Sequence, residues 1–343
     1  MKRLGIVLFN LGGPDVPAAV EPFLFNLFND PAIIGAPGPI RWLLAKWLAR
    51  KRAPVAREIY GRIGGGSPIL ANTEAQAQAL AAALSDLGPV QVEIAMRYWH
   101  PRADAAAARL KAGGVDRVLL LPLYPQFSTT TTGSSIKEWR EAAARAGLAV
   151  PTIGIGCYPT EPGFVAALAG LIGTALIRAA AAGKPRLLLT AHGLPKKVVR
   201  SGDPYQWQVE RSAEAVVAAL GSAVGDWVVC YQSRVGPLEW IGPATDAEIE
   251  RAGRDGVPVV LAPIAFVSEH SETLVELDIE YRELAHRSGV PHFERVATVG
   301  TDPAFIGGLA SLVRGRVHEA GGVRSGLGSP RCPAELGRCG CQA

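Results

Sequence analysis

The sequence predicts an α/β protein of two similar halves, each built on a parallel sheet. Three observations carry this. Apolar runs that read as strands alternate with helical patterns along the chain. Strand ends recur in the same order in the two halves. Leu4–Phe9 closes on Asn10-Leu11-Gly12-Gly13-Pro14, as Arg186–Thr190 closes on Ala191-His192-Gly193-Leu194-Pro195. Val90–Met96 leads into Arg97 and Pro101, as Trp227–Tyr231 leads into Gln232-Ser233-Arg234 and Pro237. Gly114–Pro122 is echoed by Gly256–Pro263. Finally, 343 residues at 48% hydrophobic content suffice for two ordinary cores. The two sets of strand ends are expected to face a shared cleft. The domains expected are 1–157, 158–318 and an extension over 319–343.

Several classes are set aside at once. A net charge of +4 is too small to point to nucleic acid. No apolar run reads as the ~18–20 residues that cross a bilayer. Met1–Asn10 reads as a first strand, because a structured turn and no cleavage pattern follows it. The chain is therefore expected in the cytoplasm, where paired disulfides are rare.

Taken in order, Leu4–Phe9 is a strand. The Gly-Gly pair after it lacks the third glycine and later acid of a dinucleotide fingerprint. Ile40, Leu43, Leu44, Trp47 and Leu48 fall on one helical stripe, and Arg41, Lys46, Arg50, Lys51 and Arg52 add positive charge. No acid occurs between Asp30 and Glu58. This lip, about residues 33–52, is either a core-packed helix or a surface suited to an anionic membrane. Arg62-Ile63-Gly64-Gly65-Gly66-Ser67-Pro68 is a glycine-rich loop without a P-loop's lysine; its amides suit an anion and Arg62 suits a carboxylate. Asn72–Leu84 and Ala103–Ala112 read as helices, and Val118–Leu121 as a strand. The hydroxyl-rich loop up to Ser135 precedes a helix over Ile136–Ala146; it is either an anion-binding helix start or ordinary capping. Phe305–Val317 is the last helix.

The chemistry concentrates in Pro263–Tyr281, where a buried strand ends and a helix begins. Ser268 is placed as its N-cap. Leu274, Leu277 and Tyr281 form an apolar stripe; Glu269, Glu272, Glu276 and Glu280 form an acidic one. That face is either solvated surface or a cation-handling wall at a strand's carboxyl end. His192 ends another strand of the same half, beside a glycine. Alone it reads as a core residue as readily as a base; facing a carboxylate it suits proton abstraction near neutral pH. The same pair is able to hold a divalent metal transiently. His100, His286, His292 and His318 read as structural or surface residues. Cys230 reads as an inert core thiol. Cys332, Cys339 and Cys341 lie in the tail, and Cys157 is available as a fourth thiol. Four thiolates suit Zn²⁺ or an iron–sulfur cluster; the alternative is a tail with incidental cysteines.

Seven blocks resemble the ferrochelatase family. They are Asn10–Pro14, Arg62–Pro68, Arg97-Tyr98 with His100-Pro101, Tyr124–Ser128 with Thr132–Ser135, Ala191–Pro195, Gln232–Pro237 with Trp240, and Ser268–Tyr281. The resemblance covers about Leu4–Val317. It implies two Rossmann-like, chelatase-type domains and insertion of Fe²⁺ into protoporphyrin IX. It implies His192 and Glu272 as the active-site pair, handling Fe²⁺ as substrate, with Glu269, His270 and Glu276 on a proton or iron path. The family often has Asp where this chain has Glu269. Leu11, Tyr124 and Trp240 would line the macrocycle pocket, with propionates toward loop residues such as Arg62. The pocket would ruckle the ring, tilting the pyrrole lone pairs out of plane. A [2Fe–2S] cluster on Cys157, Cys332, Cys339 and Cys341 is implied by subfamilies with a C-terminal extension. The expected partners are protoporphyrin IX, Fe²⁺, a peripheral membrane surface at the inner membrane and a second copy as a homodimer. The rival readings are a chelatase for coproporphyrin or another metal, a non-catalytic porphyrin or haem carrier, and a redox protein.

Overall fold

The structure is a computed structural model, which describes residues 3–234, 236–326 and 332–341. The chain divides into two compact units. One comprises Met1–Cys157 with Ala310–Ser325, and the other Tyr158–Leu309 with Gly326–Gln342.

The first unit holds a parallel five-stranded sheet. Its strands are β1 (Leu4–Asn10), β2 (Val90–Met96), β3 (Arg117–Pro122), β4 (Thr152–Ile155) and β9 (Gly322–Arg324), in the order β2-β1-β3-β4-β9. β1 is buried along its whole length, as its unbroken apolar run requires of a central parallel strand. Helices α1 (Val20–Phe28), α2 (Gly38–Gly61) and α3 (Ile69–Ala83) lie between β1 and β2, α4 (Ala103–Ala112) between β2 and β3, and α5 (Thr132–Ala146) between β3 and β4. Ala103, Ala106, Ala107 and Leu110 of α4 and Ile136, Trp139 and Ala142 of α5 bury one core against the sheet. The final strand corrects the expected boundary at 318. β9 pairs in parallel with β4, so Ala310–Ser325 groups with the first unit.

The second unit repeats the plan. β5 (Arg186–His192), β6 (Asp226–Gln232), β7 (Val259–Pro263) and β8 (Phe293–Arg295) are parallel in the order β6-β5-β7-β8. This is the order of β2-β1-β3-β4, so the repeat read from strand ends extends to the whole sheet. Helices α6 (Pro162–Ala179), α7 (Lys196–Arg200), α8 (Tyr205–Leu220), α9 (Thr245–Asp255) and α10 (Tyr281–Arg287) accompany it, and α11 (Pro303–Arg316) leads toward β9. Leu188, Cys230, Ile249, Leu261 and Leu277 belong to its core. Burial pushes the Cys230 thiol up to about 12, which keeps it inert.

Three sequence expectations change. Pro162–Ala182 is long and apolar enough to cross a membrane by length and composition, with mean hydropathy 1.9. Phe164, Leu168, Ile172 and Leu176 of this helix are nevertheless buried inside the unit. α2 runs on through Pro54 to Gly61, beyond the expected end at 52. It buries Ala45, Ala49 and Ala53 and leaves Ile40, Trp42, Leu43, Leu44 and Trp47 exposed. Small residues let the helix lie close to its neighbours, so the bulky stripe faces outward. Last, Ser268 is not the residue at which the helix after β7 starts. The helix after β7 begins at Ser271 and is π-wound over Glu272–Glu280 before reverting to α10. Its buried residues are Thr273, Val275 and Leu277; of the expected stripe, Leu277 is buried and Tyr281 packs on the same core, while Leu274 is only half-buried.

Candidate active site

Three neighbouring strands of the second sheet deliver the site at their carboxyl ends, where open α/β sheets place ligands. His192 closes β5 and pairs in register with Gln232 of β6, so Ser233 lies one step beyond it. β7 pairs with β5 up to Thr190–Pro263, and its chain then enters the π-helix. Gly193 follows the histidine in a tight place. A Cβ there would sit 2.8 Å from the Gln232 carbonyl oxygen and 3.3 Å from the Trp240 ring. Only glycine lets β5 leave the sheet between them.

The His192 Nδ1 lies 2.9 Å from Glu272 Oε2. Because a carboxylate only accepts, Nδ1 carries the proton, and Nε2 keeps the lone pair of the neutral ring. The imidazole side chain is 41% exposed, so that lone pair can be reached. Burial pulls the His192 pKa down, but the Glu272 charge and hydrogen bond outweigh it and leave it above the ordinary 6.5. Burial raises Glu272, but the His192 charge and hydrogen bond hold it down to about 2. The two groups titrate as a unit.

Glu276 stands beside them in a different setting. It accepts from the Ser233 backbone N–H at 2.8 Å, from the Ser233 hydroxyl, and from the Tyr281 hydroxyl at 3.1 Å. Burial and the nearby Glu272 charge raise its pKa. The two acids are thus pushed in opposite directions, as a proton donor–acceptor pair requires. Ser233 hydroxyl also lies 3.5 Å from Glu272 Oε2. Its φ of 57° is unusual for a residue with a side chain, and it is the price of aiming both donors at Glu276. Ser233 escaped the sequence reading; the signal available was its place one residue past the strand beside His192.

His270 approaches from the same turn. Its Nε2 is 4.0 Å from Glu272 Oε2, its Nδ1 is 3.1 Å from the Ser268 carbonyl oxygen, and Phe266 packs edge-on against its ring. Glu269 takes another position. Its carboxylate accepts from Arg295 at 2.6 Å and from the Thr298 backbone at 3.0 Å. Arg295 also meets Asp278, so Glu269 closes a charge network within the unit. Glu280 is exposed. Trp240 bridges Pro195 and borders a cavity of ≈ 510 Å³ with Lys196, Arg200, Gln206 and Arg234.

Leu11, Arg62 and Tyr124 belong to the first unit. Leu11 packs on the aromatic cluster of α1 and α2, Tyr124 packs against the core under α5, and exposed Arg62 meets Glu58 at 3.9 Å. Cys157 is buried there, with its sulfur 3.6 Å from the Ser325 hydroxyl. Cys332, Cys339 and Cys341 meet in the second unit. Hydrogen bonds from Cys332 and Cys341 hold the Cys339 thiol well below its ordinary range. Among the described residues no group of three or more His, Cys, Asp or Glu is arranged to hold a metal.

The ferrochelatase family model matches residues 3–317. The chain belongs to the ferrochelatase family. It is 53% identical over 344 residues to a ferrochelatase of Caulobacter vibrioides, covering 99% of this chain and 98% of that one. It is 50% identical over 343 residues to one of Phenylobacterium zucineum, with 99% and 98% covered. Among solved structures, SirB from Bacillus subtilis with Fe³⁺ shares the fold at a TM-score of 0.54 and 13% identity, covering 92% of this chain and 95% of that one. The sirohydrochlorin chelatase SirB in complex with cobalt gives 0.52 at 12% identity, with 92% and 98% covered. Ferrochelatase membership makes this chain an enzyme of haem synthesis that inserts Fe²⁺ into protoporphyrin. At the level of the fold, the two parallel sheets are those of the Rossmann-like chelatases.

Proposed function

We propose that His192 is the proton acceptor of the insertion reaction and Glu272 its partner. The observation that carries this is the 2.9 Å contact at the end of β5, which leaves Nε2 open. Insertion breaks two pyrrole N–H bonds and forms bonds from those nitrogens to Fe²⁺. His192 Nε2 takes a proton, and the Glu272 carboxylate stabilises the resulting imidazolium. Fe²⁺ enters as substrate at the same pair, where an imidazole and a carboxylate can replace part of its water shell. Glu276 and His270 receive protons onward; Glu269 holds the wall through Arg295. Trp240, Tyr124 and Leu11 are proposed porphyrin contacts, and Arg62 a propionate partner.

The pH dependence tests this reading. Below its folded pKa His192 already holds a proton and cannot accept another. In the native chain kcat/KM for porphyrin should therefore rise with pH through a midpoint above 6.5. Glu272→Gln removes the charge that keeps the imidazolium stable, so the midpoint should move to lower pH. Anaerobic initial rates read both, and an unmoved midpoint in the variant would falsify the pairing.

The lip is proposed to dock on an anionic membrane surface, which fits a cytoplasmic enzyme collecting a hydrophobic substrate. Its exposed face supports this: Lys46 and Lys51 each lie 5.0 Å over the rings of Trp42 and Trp47. Cations beside interfacial tryptophans suit phosphate headgroups. Trp47→Glu with Leu43→Glu should weaken flotation with phosphatidylserine vesicles by at least about ten-fold, each lost side chain contributing about 1.5–3 kcal/mol of burial. Equal flotation of native and variant chains would remove the proposal.

A [2Fe–2S] cluster is proposed on Cys332, Cys339 and Cys341, with Cys157 as the fourth thiolate on sequence grounds. The lowered Cys339 thiol supports it, since the thiolate is the ligating form. When bound, such a cluster supplies a one-electron centre and a covalent tie across the extension.

A further inference from the structure

Four donors reach the carboxyl group of Glu276, and none of them is a cation. Oε1 accepts from the Ser233 backbone N–H at 2.8 Å and from the Tyr281 hydroxyl at 3.1 Å. Oε2 accepts from the Ser233 hydroxyl and from the Gln232 side-chain amide at 3.4 Å. A partly buried carboxyl group is tolerated where its lone pairs are met, and here both oxygens are. The Ser233 hydroxyl also stands 3.5 Å from Glu272 Oε2, so it spans the two acids.

The Tyr281 donor depends on how the helix is wound. Its backbone N–H donates to the Glu276 carbonyl oxygen, five residues back. An α-helix turns about 100° per residue, so residues five apart diverge by about 140°. A π turn closes over five residues and brings them onto one face. A backbone bond and a hydroxyl bond thus join the same two residues. The Tyr281 ring packs against the core of the second unit, which fixes where its hydroxyl ends. Burial and the Glu276 charge push the phenol up, so it remains a donor.

Gln232 is aimed from within the sheet. It is 1% exposed, and Thr190 and Thr245 beside it are fully buried. The Thr190 hydroxyl donates to Gln232 Oε1 at 3.2 Å and lies 2.9 Å from the Thr245 hydroxyl at the start of α9. With its oxygen held by Thr190, Gln232 presents its amide nitrogen to Glu276. The reverse orientation would set two acceptor oxygens against each other.

We infer that Tyr281 and Thr190 are positioning residues for iron insertion, Tyr281 directly and Thr190 through Gln232, and that they hold the Glu276 carboxyl group in one orientation beside the His192–Glu272 pair. A proton leaving that pair then meets an acceptor already in place, with no side-chain rotation first. The inference rests on Glu276 as the onward proton acceptor.

The test uses the full chain in native, Tyr281→Phe, Thr190→Val and Glu276→Gln forms, with two double variants that add Tyr281→Phe or Thr190→Val to Glu276→Gln. Phenylalanine keeps the packed ring and valine keeps the branched shape, so each change deletes one hydroxyl. In anaerobic Fe²⁺ insertion, kcat should fall by about 3- to 10-fold in Tyr281→Phe and by about 2- to 5-fold in Thr190→Val. KM for porphyrin should stay within about two-fold of native, because only a group used after binding is misplaced. In the Glu276→Gln background neither change should lower kcat further, since the carboxylate they orient is gone. A merely structural role would lower kcat by the same factor in both backgrounds, and that result would overturn the inference. Native kcat in Tyr281→Phe and Thr190→Val, beside a depressed kcat in Glu276→Gln, would overturn it while leaving Glu276 as acceptor. Native kcat in Glu276→Gln would remove the acceptor and the inference with it.

Discussion

His192→Ala should lower kcat for anaerobic Fe²⁺ insertion by about 10²–10⁴-fold, the span typical of losing a positioned general base. The fold should survive, because the side chain is 41% exposed and closes a strand rather than filling the core. Porphyrin binding, followed by quenching of tryptophan fluorescence, should persist in the variant. That separation discriminates an enzyme from a carrier: a carrier would keep every measurable property. Near-native insertion by His192→Ala would remove the proton acceptor from the mechanism.

The second large effect is on stability, in the first unit. Asp30 is 4% exposed and accepts from Arg97 at 2.6 Å, the Tyr98 hydroxyl at 2.8 Å, the Ser134 hydroxyl at 3.0 Å and the Ala32 backbone at 2.9 Å. Asp30→Ala leaves Arg97 with Glu138 at 3.2 Å but strands two hydroxyls and half of a buried charge pair. Breaking such a pair costs about 3–5 kcal/mol, although the intact pair adds little over an apolar substitute. Urea unfolding should show the first unit's unfolding free energy lowered by that amount, with Asp30→Asn losing less because it keeps an acceptor. Equal stability of the native and alanine chains would show that water or rearrangement satisfies the site. Ser134, which the sequence placed in the hydroxyl-rich loop open to an anion, lies in the first turn of α5 and completes an internal network.

Much of the architecture was legible because parallel strands announce themselves as unbroken apolar runs. β2 and α4 fall on the expected residues, and β5 was found two residues short of its end. β4, β8 and β9 have only four, three and three residues, too few for any periodicity to register. The lip was legible as a stripe but not as an orientation. Ala45, Ala49 and Ala53 recur at the same helical spacing as the bulky residues, and only packing decides which face turns inward. His192 and Glu272 could be joined from sequence because both follow ends of predicted strands. The winding between Glu272 and Glu280 could not: a helix period was assumed, and the π form follows from how Thr273, Val275 and Leu277 reach the core. Ser233 was hidden for a related reason, since its role lies in a backbone angle that the residue type does not advertise.

The matched sheets, β2-β1-β3-β4 and β6-β5-β7-β8, let each half serve as the other's control. β1 and β5 are both seven residues long, so Asn10 stands where His192 stands. Asn10 is buried, and its amide is spent on Thr73 and Leu11. Nine residues past the end of β3 comes Thr131; nine past β7 comes Glu272. A duplicated scaffold has therefore divided its labour. One copy turned its strand ends into internal scaffolding, and the other left them chemically available.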